Sequence, residues 1–213
     1  MSGGTNKATA KKPRARKRGK GIFCLEGDWW NDLNQSGSVK PMLDLISAGA
    51  DIAVPSVHRD VATRDELEFY LRKWVQGRYK TYPLLCLAFH GSEGALHLSD
   101  GRKAESTVTL DELAELLDGK CHGRIIHFDG CSTVVGDVRH LKRFLRQTGA
   151  LAVTGFTNDV PWLDAAAFDI LLFATFQQQA LTRGGMKAVK RRVFTELRGM
   201  ARELGFRMEI RPE

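Results

Sequence analysis

Short uninterrupted apolar runs alternate along the chain with longer stretches in which apolar residues recur every three or four positions. "GIFCLEG" (21–27) is a compact apolar run ending in glycine, and "VKPMLDLISAGA" (39–50) has helical spacing through Met42, Leu43, Leu45 and Ile46. The first predicts a strand and the second a helix. "DIAVPSVH" predicts a peripheral strand, because Pro55 cannot donate to a ladder. "TRDELEFYLRKWVQG" opens with the capping box Thr63-x-x-Glu66 and turns an apolar stripe of Leu67, Tyr70, Leu71 and Trp74 to one side.

The alternation continues with the strand "YPLLCLAF" and with "GALHLSDGR", a small hairpin turning at Ser99-Asp100-Gly101. "TLDELAELLDG" carries a second capping box, Thr109-x-x-Glu112. The strand "RIIHF", the helix "DVRHLKRFLRQTG", the strand "LAVTGF" and a helix at 165–180 come next. One long amphipathic helix, "MKAVKRRVFTELRGMARELG", then leads to the edge strand "FRMEI". Strands that are apolar throughout need both faces covered, so the order predicts an α/β fold: a mostly parallel central sheet with helices on both faces. Ligands of such a sheet bind at the carboxyl ends of its strands.

The net charge of +7 changes this picture only locally, since the first 20 of the 213 residues hold eight Lys or Arg and no acid. Residues 1–20 have no apolar periodicity to offset the entropy of ordering, which predicts a disordered basic tail before one domain at 21–213. That tail is a candidate for nucleic-acid contact by phosphate neutralisation. It lacks the apolar core of a secretory signal, and "AAAFDILLFATF" (165–176) falls short of the roughly 20 residues that span a bilayer and carries Asp169. No membrane association is expected. Cysteines 24, 86, 121 and 131 show no C-x-x-C spacing, which fits a reducing cytoplasm. Neither a Walker A sequence nor G-x-G-x-x-G is present. Cys121, His122, His127 and Cys131 match no common zinc spacing, so neither a metal nor a cofactor is assigned.

Two predicted strands end on reactive side chains, one on His90-Gly91 and the other on Cys131. A right-handed crossover lays such strands in one sheet, adjacent or nearly so, with both side chains on one rim. A thiolate can attack an acyl carbon, and an imidazole can take the thiol proton or hand one to a leaving amine. Gly91 lets a substrate carbonyl approach, and its amide and that of Cys131 are candidate oxyanion donors. His97, His122, His127 and His140 have no comparable context. Trp29, Trp30 and Trp162 are expected in the core or as pocket walls, and Asp159 and Asp164 as surface acids near the next helix.

"AFHG" and "FDGCS" in this element order resemble the caspase-like cysteine peptidases: caspases, metacaspases, paracaspases and bacterial CHAT peptidases. The likeness covers the chain from Gly21 to Ile210 and implies a caspase-like three-layer sandwich with His90 and Cys131 as catalytic dyad. It implies a protein or peptide substrate and allows for a regulatory protein partner. The caspase signature Q-A-C-x-G is replaced by Asp129-Gly130-Cys131-Ser132-Thr133. By resemblance to metacaspases and paracaspases, Asp129, and more loosely Asp28, would receive an Arg or Lys side chain. The rival readings are a catalytically silent domain of the same fold that binds a partner, and a nucleic-acid-associated protein acting through residues 1–20.

Overall fold

A computed structural model describes residues 17–213 except 31, 33, 36, 50, 51 and 99–105. The chain runs β1 (Lys17–Arg18), β2 (Ile22–Glu26), α1 (Lys40–Ala48), β3 (Ile52–Ala53), β4 (Ser56–Asp60), α2 (Arg64–Trp74) and β5 (Leu84–Ala88). It continues through β6 (His90–Ser92), β7 (Ala95–His97), β8 (Thr107–Thr109), α3 (Leu110–Leu116), β9 (Ile125–Asp129) and α4 (Val138–Thr148). The last elements are β10 (Ala152–Phe156), α5 (Trp162–Gln178), α6 (Arg183–Glu196), α7 (Arg198–Glu203) and β11 (Phe206–Ile210). Six strands form the central sheet in the order β11-β10-β9-β5-β2-β4, all parallel except β11, which runs antiparallel to β10.

Strand alternation divides the apolar residues between the two faces. Ile22, Cys24, Leu84 and Cys86 pack with Leu43 of α1 and Phe168 and Phe173 of α5, while Met186 and Val189 of α6 extend that layer. Phe23, Leu25, Leu85 and Leu87 face the other way, against Leu67 and Trp74 of α2, Leu113 of α3 and Phe144 of α4. The result is an α/β protein in three layers, as the apolar pattern requires. Burying each of these Leu or Phe side chains stabilises the fold by roughly 1.5–3 kcal/mol. Both capping boxes form: Thr63 and Thr109 each accept from the third helical amide, and Glu66 and Glu112 reach back. No helix among the described residues is long and apolar enough to cross a membrane.

Two expectations change, and two others gain detail. Residues 17–20 are not part of a disordered tail: β1 pairs with β3, Gly19 donates to the Ala53 carbonyl at 2.8 Å, and the Lys20 amide donates to Gln177 Oε1 at 2.7 Å. Backbone pairing holds a segment that has no apolar stripe of its own. Residues 1–16 lie outside the described residues. Pro55 does more than push its strand outward; it separates β3 from β4, and β4 is the sheet edge.

The turn assigned to Ser99-Asp100-Gly101 also lies outside the described residues, although β7 and β8, which flank it, do pair antiparallel. An additional hairpin, β6 to β7, turns at Glu93-Gly94 and places His90 at the start of a second, three-stranded sheet. The long C-terminal helix is two helices broken at Leu197 (φ −110°, ψ 22°), which lets α7 turn back and feed β11.

Gly205 makes that last turn with φ +63°, and a Cβ there would strike the Thr157 side chain and come within 2.6 Å of Asn158 Oδ1. Gly205→Ala combines left-handed strain with overpacking and is expected to lower unfolding free energy by about 2 kcal/mol, read by urea denaturation.

Candidate active site

Parallel pairing of β5 with β9 runs from Leu84↔Ile125 to Ala88↔Asp129, so the two strands end side by side. Phe89, His90 and Gly91 leave one end; Gly130, Cys131 and Ser132 leave the other. The two exits touch through their backbones. A Cβ on Gly130 would overlap the Phe89 carbonyl, and one on Gly91 would overlap Thr133 Oγ1 and stand 2.5 Å from the Cys131 carbonyl. Glycine is needed at both positions for this approach.

His90 and Cys131 line one cavity of about 130 Å³ together with Trp29, Trp30, Val39, Asp129, Trp162 and Ala165. That volume is well below the ~300–1,000 Å³ of sites that enclose a whole small molecule, and suits a single amino acid side chain. His90 is exposed and Cys131 half-buried. His90 Nε2 lies 2.9 Å from the Trp29 carbonyl, which can only accept, so Nε2 donates and the neutral ring carries its lone pair on Nδ1. The Trp29 indole meets the imidazole edge to face, with centroids 5.4 Å apart.

Cys131 is held from the loop after β10: the Val160 amide donates to Sγ at 3.4 Å, and Ser132 Oγ donates to Asp159 Oδ1 at 3.0 Å. Ser132 has φ 51°, left-handed backbone in a residue with a Cβ, maintained by its amide donating to the Asn158 carbonyl at 3.1 Å. Asp159, expected as a surface acid, thus braces the cysteine loop. Asp164 lies in the first turn of α5.

The other cysteines are buried. At Cys86 a hydrogen bond with Cys24 and burial push the thiol well above its ordinary pKa. At Cys24 the bond to Cys86 lowers the value, but burial and the carboxylates of Glu26, Asp129 and Asp169 outweigh it. Burial pushes Cys121 up to about 12. Cys121 and His122 sit before β9 and Cys131 after it, at opposite ends of one strand, so they do not form a metal set with Cys131.

Asp129 forms part of the cavity wall with its side chain turned inward, 5% exposed as a residue. Beneath it lie His127 and Asp169: His127 Nε2 is 3.0 Å from Asp169 Oδ2, and Nδ1 is 2.9 Å from Thr154 Oγ1. Asp169 Oδ1 receives no hydrogen bond from an amide or hydroxyl among the described residues. Two adjacent carboxyls in a dry site do not both ionise. Burial, then the Asp169 charge and its hydrogen bond, and then Glu26 all push Asp129 well above the ordinary carboxyl range. A neutral Asp129 is a hydrogen-bond donor beside the Asp169 carboxyl.

Asp28 does not join this cavity. It is exposed, accepts from the Trp30 amide at 3.3 Å, and opens onto a separate depression with Glu26, Gly37 and Asp60. Its side chain caps the turn that starts the loop after β2. Glu26 was not singled out from the sequence, and His127 was set aside for want of a comparable context. Asp169 had a signal, an acid in the middle of an apolar helix that must find a buried partner.

These features define an α/β protein whose parallel sheet presents an imidazole and a thiol in one small aromatic-walled cavity. A family model matches residues 19–209, and the chain belongs to that family, DUF6642, a family of unknown function. No curated protein matches the sequence.

The raised pKa of Asp129 fixes the sign of a stability effect. Its proton stays on in the folded state while the unfolded carboxyl ionises near pH 4, so the wild type loses stability as pH rises above that value towards the folded pKa. Asp129→Asn keeps a donor for Asp169 and removes that loss. Its urea midpoint is expected to gain on the wild type between pH 4 and pH 8, and equal differences at both would reject the shared proton.

Proposed function

We propose that this protein is a cysteine endopeptidase of caspase-like fold, with Cys131 as nucleophile and His90 as general acid and base. The observation that carries the reading is that the two side chains open onto one side-chain-sized cavity while His90 is tied through Nε2 to the Trp29 carbonyl. That tie leaves Nδ1 as the nitrogen available for proton exchange. His90 takes the Cys131 thiol proton at Nδ1, the thiolate attacks the peptide carbonyl carbon, and the resulting oxyanion is received by the Gly91 and Cys131 amides. The C–N bond then breaks, and the amine leaves with a proton from His90. Water gives a proton to His90 as it attacks the thioester, the C–S bond breaks, and His90 returns that proton to the departing sulfur, releasing the carboxylic acid and the thiol.

The cavity supports a basic P1 residue. Its aromatic walls suit the stem and charge of Arg or Lys, and Asp129 contributes a carboxyl group to the lining. Asp28 has no part in this pocket. Four free thiols fit a reducing cytoplasmic setting.

An acyloxymethyl ketone carrying Arg at P1, followed by mass spectrometry, tests the assignment. Labelling is expected at Cys131, abolished by Cys131→Ala and slowed by about 10²–10⁴ in His90→Ala. A probe with a neutral P1 should label more slowly. An intact, unlabelled Cys131 after prolonged exposure would identify a catalytically silent domain instead.

A further inference from the structure

Glu26 ends β2 with a carboxylate that is almost entirely enclosed, 2% exposed. Donors converge on it from four places: Trp29 Nε1 at 2.5 Å, Ser38 Oγ at 2.6 Å, the Val39 amide at 2.7 Å and His58 Nε2 at 2.5 Å. Burial alone would raise its pKa, but the bonds from His58, Ser38, Trp29 and Val39 together outweigh burial and hold the carboxyl below its ordinary value. It is therefore a fixed negative charge at neutral pH. Such complete satisfaction makes it unsuited to receive a ligand and well suited to hold its neighbours.

One of those neighbours, His58, is on β4, and the other three lie at the two ends of the loop between β2 and α1. Trp29 lies at its start, and Ser38 and Val39 lie at its end, where α1 begins. Gly27 is separately pinned to β5 by its amide, which donates to the Ala88 carbonyl at 2.8 Å. Trp29 is thus held at its indole by Glu26, and it touches His90 twice, through its carbonyl and through its ring. A two-link path runs from the buried carboxylate to the imidazole, and it selects the His90 nitrogen that carries the proton.

We propose that Glu26 is a positioning residue for His90, acting through Trp29 to fix the ring's orientation and tautomer. The inference rests on the proposed peptidase reading, because it assigns a purpose to the His90 geometry. Released from Glu26, Trp29 can turn, its carbonyl leaves Nε2, and the ring loses the constraint that keeps Nδ1 as its basic atom.

The rate of Cys131 alkylation by iodoacetamide, followed on the full chain by mass spectrometry from pH 6 to 9, tests this without a substrate. The buried Cys24, Cys86 and Cys121 serve as internal controls for folding. Glu26→Gln is expected to slow alkylation about tenfold when His90 is present and less than about twofold in a His90→Ala background, the non-additivity of residues acting in series. The pH–rate profile of Glu26→Gln should also move towards that of His90→Ala.

Should Glu26→Gln fail to fold, Trp29→Phe breaks the same link and leaves the buried carboxylate with its other donors, and the same non-additivity is expected. Equal slowing with and without His90, or no slowing at all, overturns the positioning role. A His90→Ala variant as reactive as the wild type rejects the dyad, and this inference with it. A slow His90→Ala beside an additive Glu26→Gln rejects the inference alone.

Discussion

The residue-for-residue parallel pairing of β5 and β9 is the constraint on which the rest of the site depends. Hydrogen-bonded neighbours in a parallel ladder end at the same height, so the residues that follow Ala88 and Asp129 have nowhere to go but against each other. The segments meet backbone to backbone because Gly91 and Gly130 offer no Cβ. A hairpin then carries the chain from His90 into a separate small sheet, while the cysteine loop is drawn towards the loop after β10 by the Ser132, Val160 and Asp159 contacts. Tight backbone contact with divergent exits leaves a cavity that both side chains line.

Buried carboxylates at this end of the sheet are satisfied in two different ways, and the difference decides what each can do. Glu26 has four donors and stays ionised, a fixed point that organises the loop beside it. Asp129 has another carboxyl as its neighbour and keeps a proton, so its charge state depends on Asp169 and on whatever enters the cavity. Removing a charged partner from either arrangement would leave an unsatisfied buried group, at a cost of several kcal/mol by general experience with such sites. Both acids point to the face shared by α1 and α5. The opposite face, packed by α2, α3 and α4, is filled by apolar side chains such as Phe128, Leu87 and Trp74.

Much of the architecture was legible because it rests on local chemistry. The apolar runs of the central strands and the two capping boxes act over a few residues, and they formed where the sequence predicted them, whereas α2 and α3 end short of Gly77 and Gly119. The exceptions have non-local causes. Residues 17–20 are ordered by β3 and by Gln177, more than 150 residues away in the second case. The break at Leu197 serves the return of β11 to β10, and neither is visible in a helical stripe that continues through it. Pro55 was readable as a ladder breaker but not as a divider between two sheets.

Within the site, the sequence by itself determined which residues stand at strand ends, because uninterrupted apolar runs and the β-α-β order require no knowledge of distant contacts. His90, Gly91 and Cys131 were identifiable on those grounds, whereas Trp29, Trp30 and Trp162 were expected only in the core or as pocket walls. Tertiary structure alone decided the partners: that Asp129 turns inward to Asp169, that Asp28 opens onto a different depression, and that Glu26 reaches His90 through Trp29. The physical reason is that a carboxylate's role follows from its burial and its nearest donors, and those are set by which strands and helices pack together rather than by spacing along the chain.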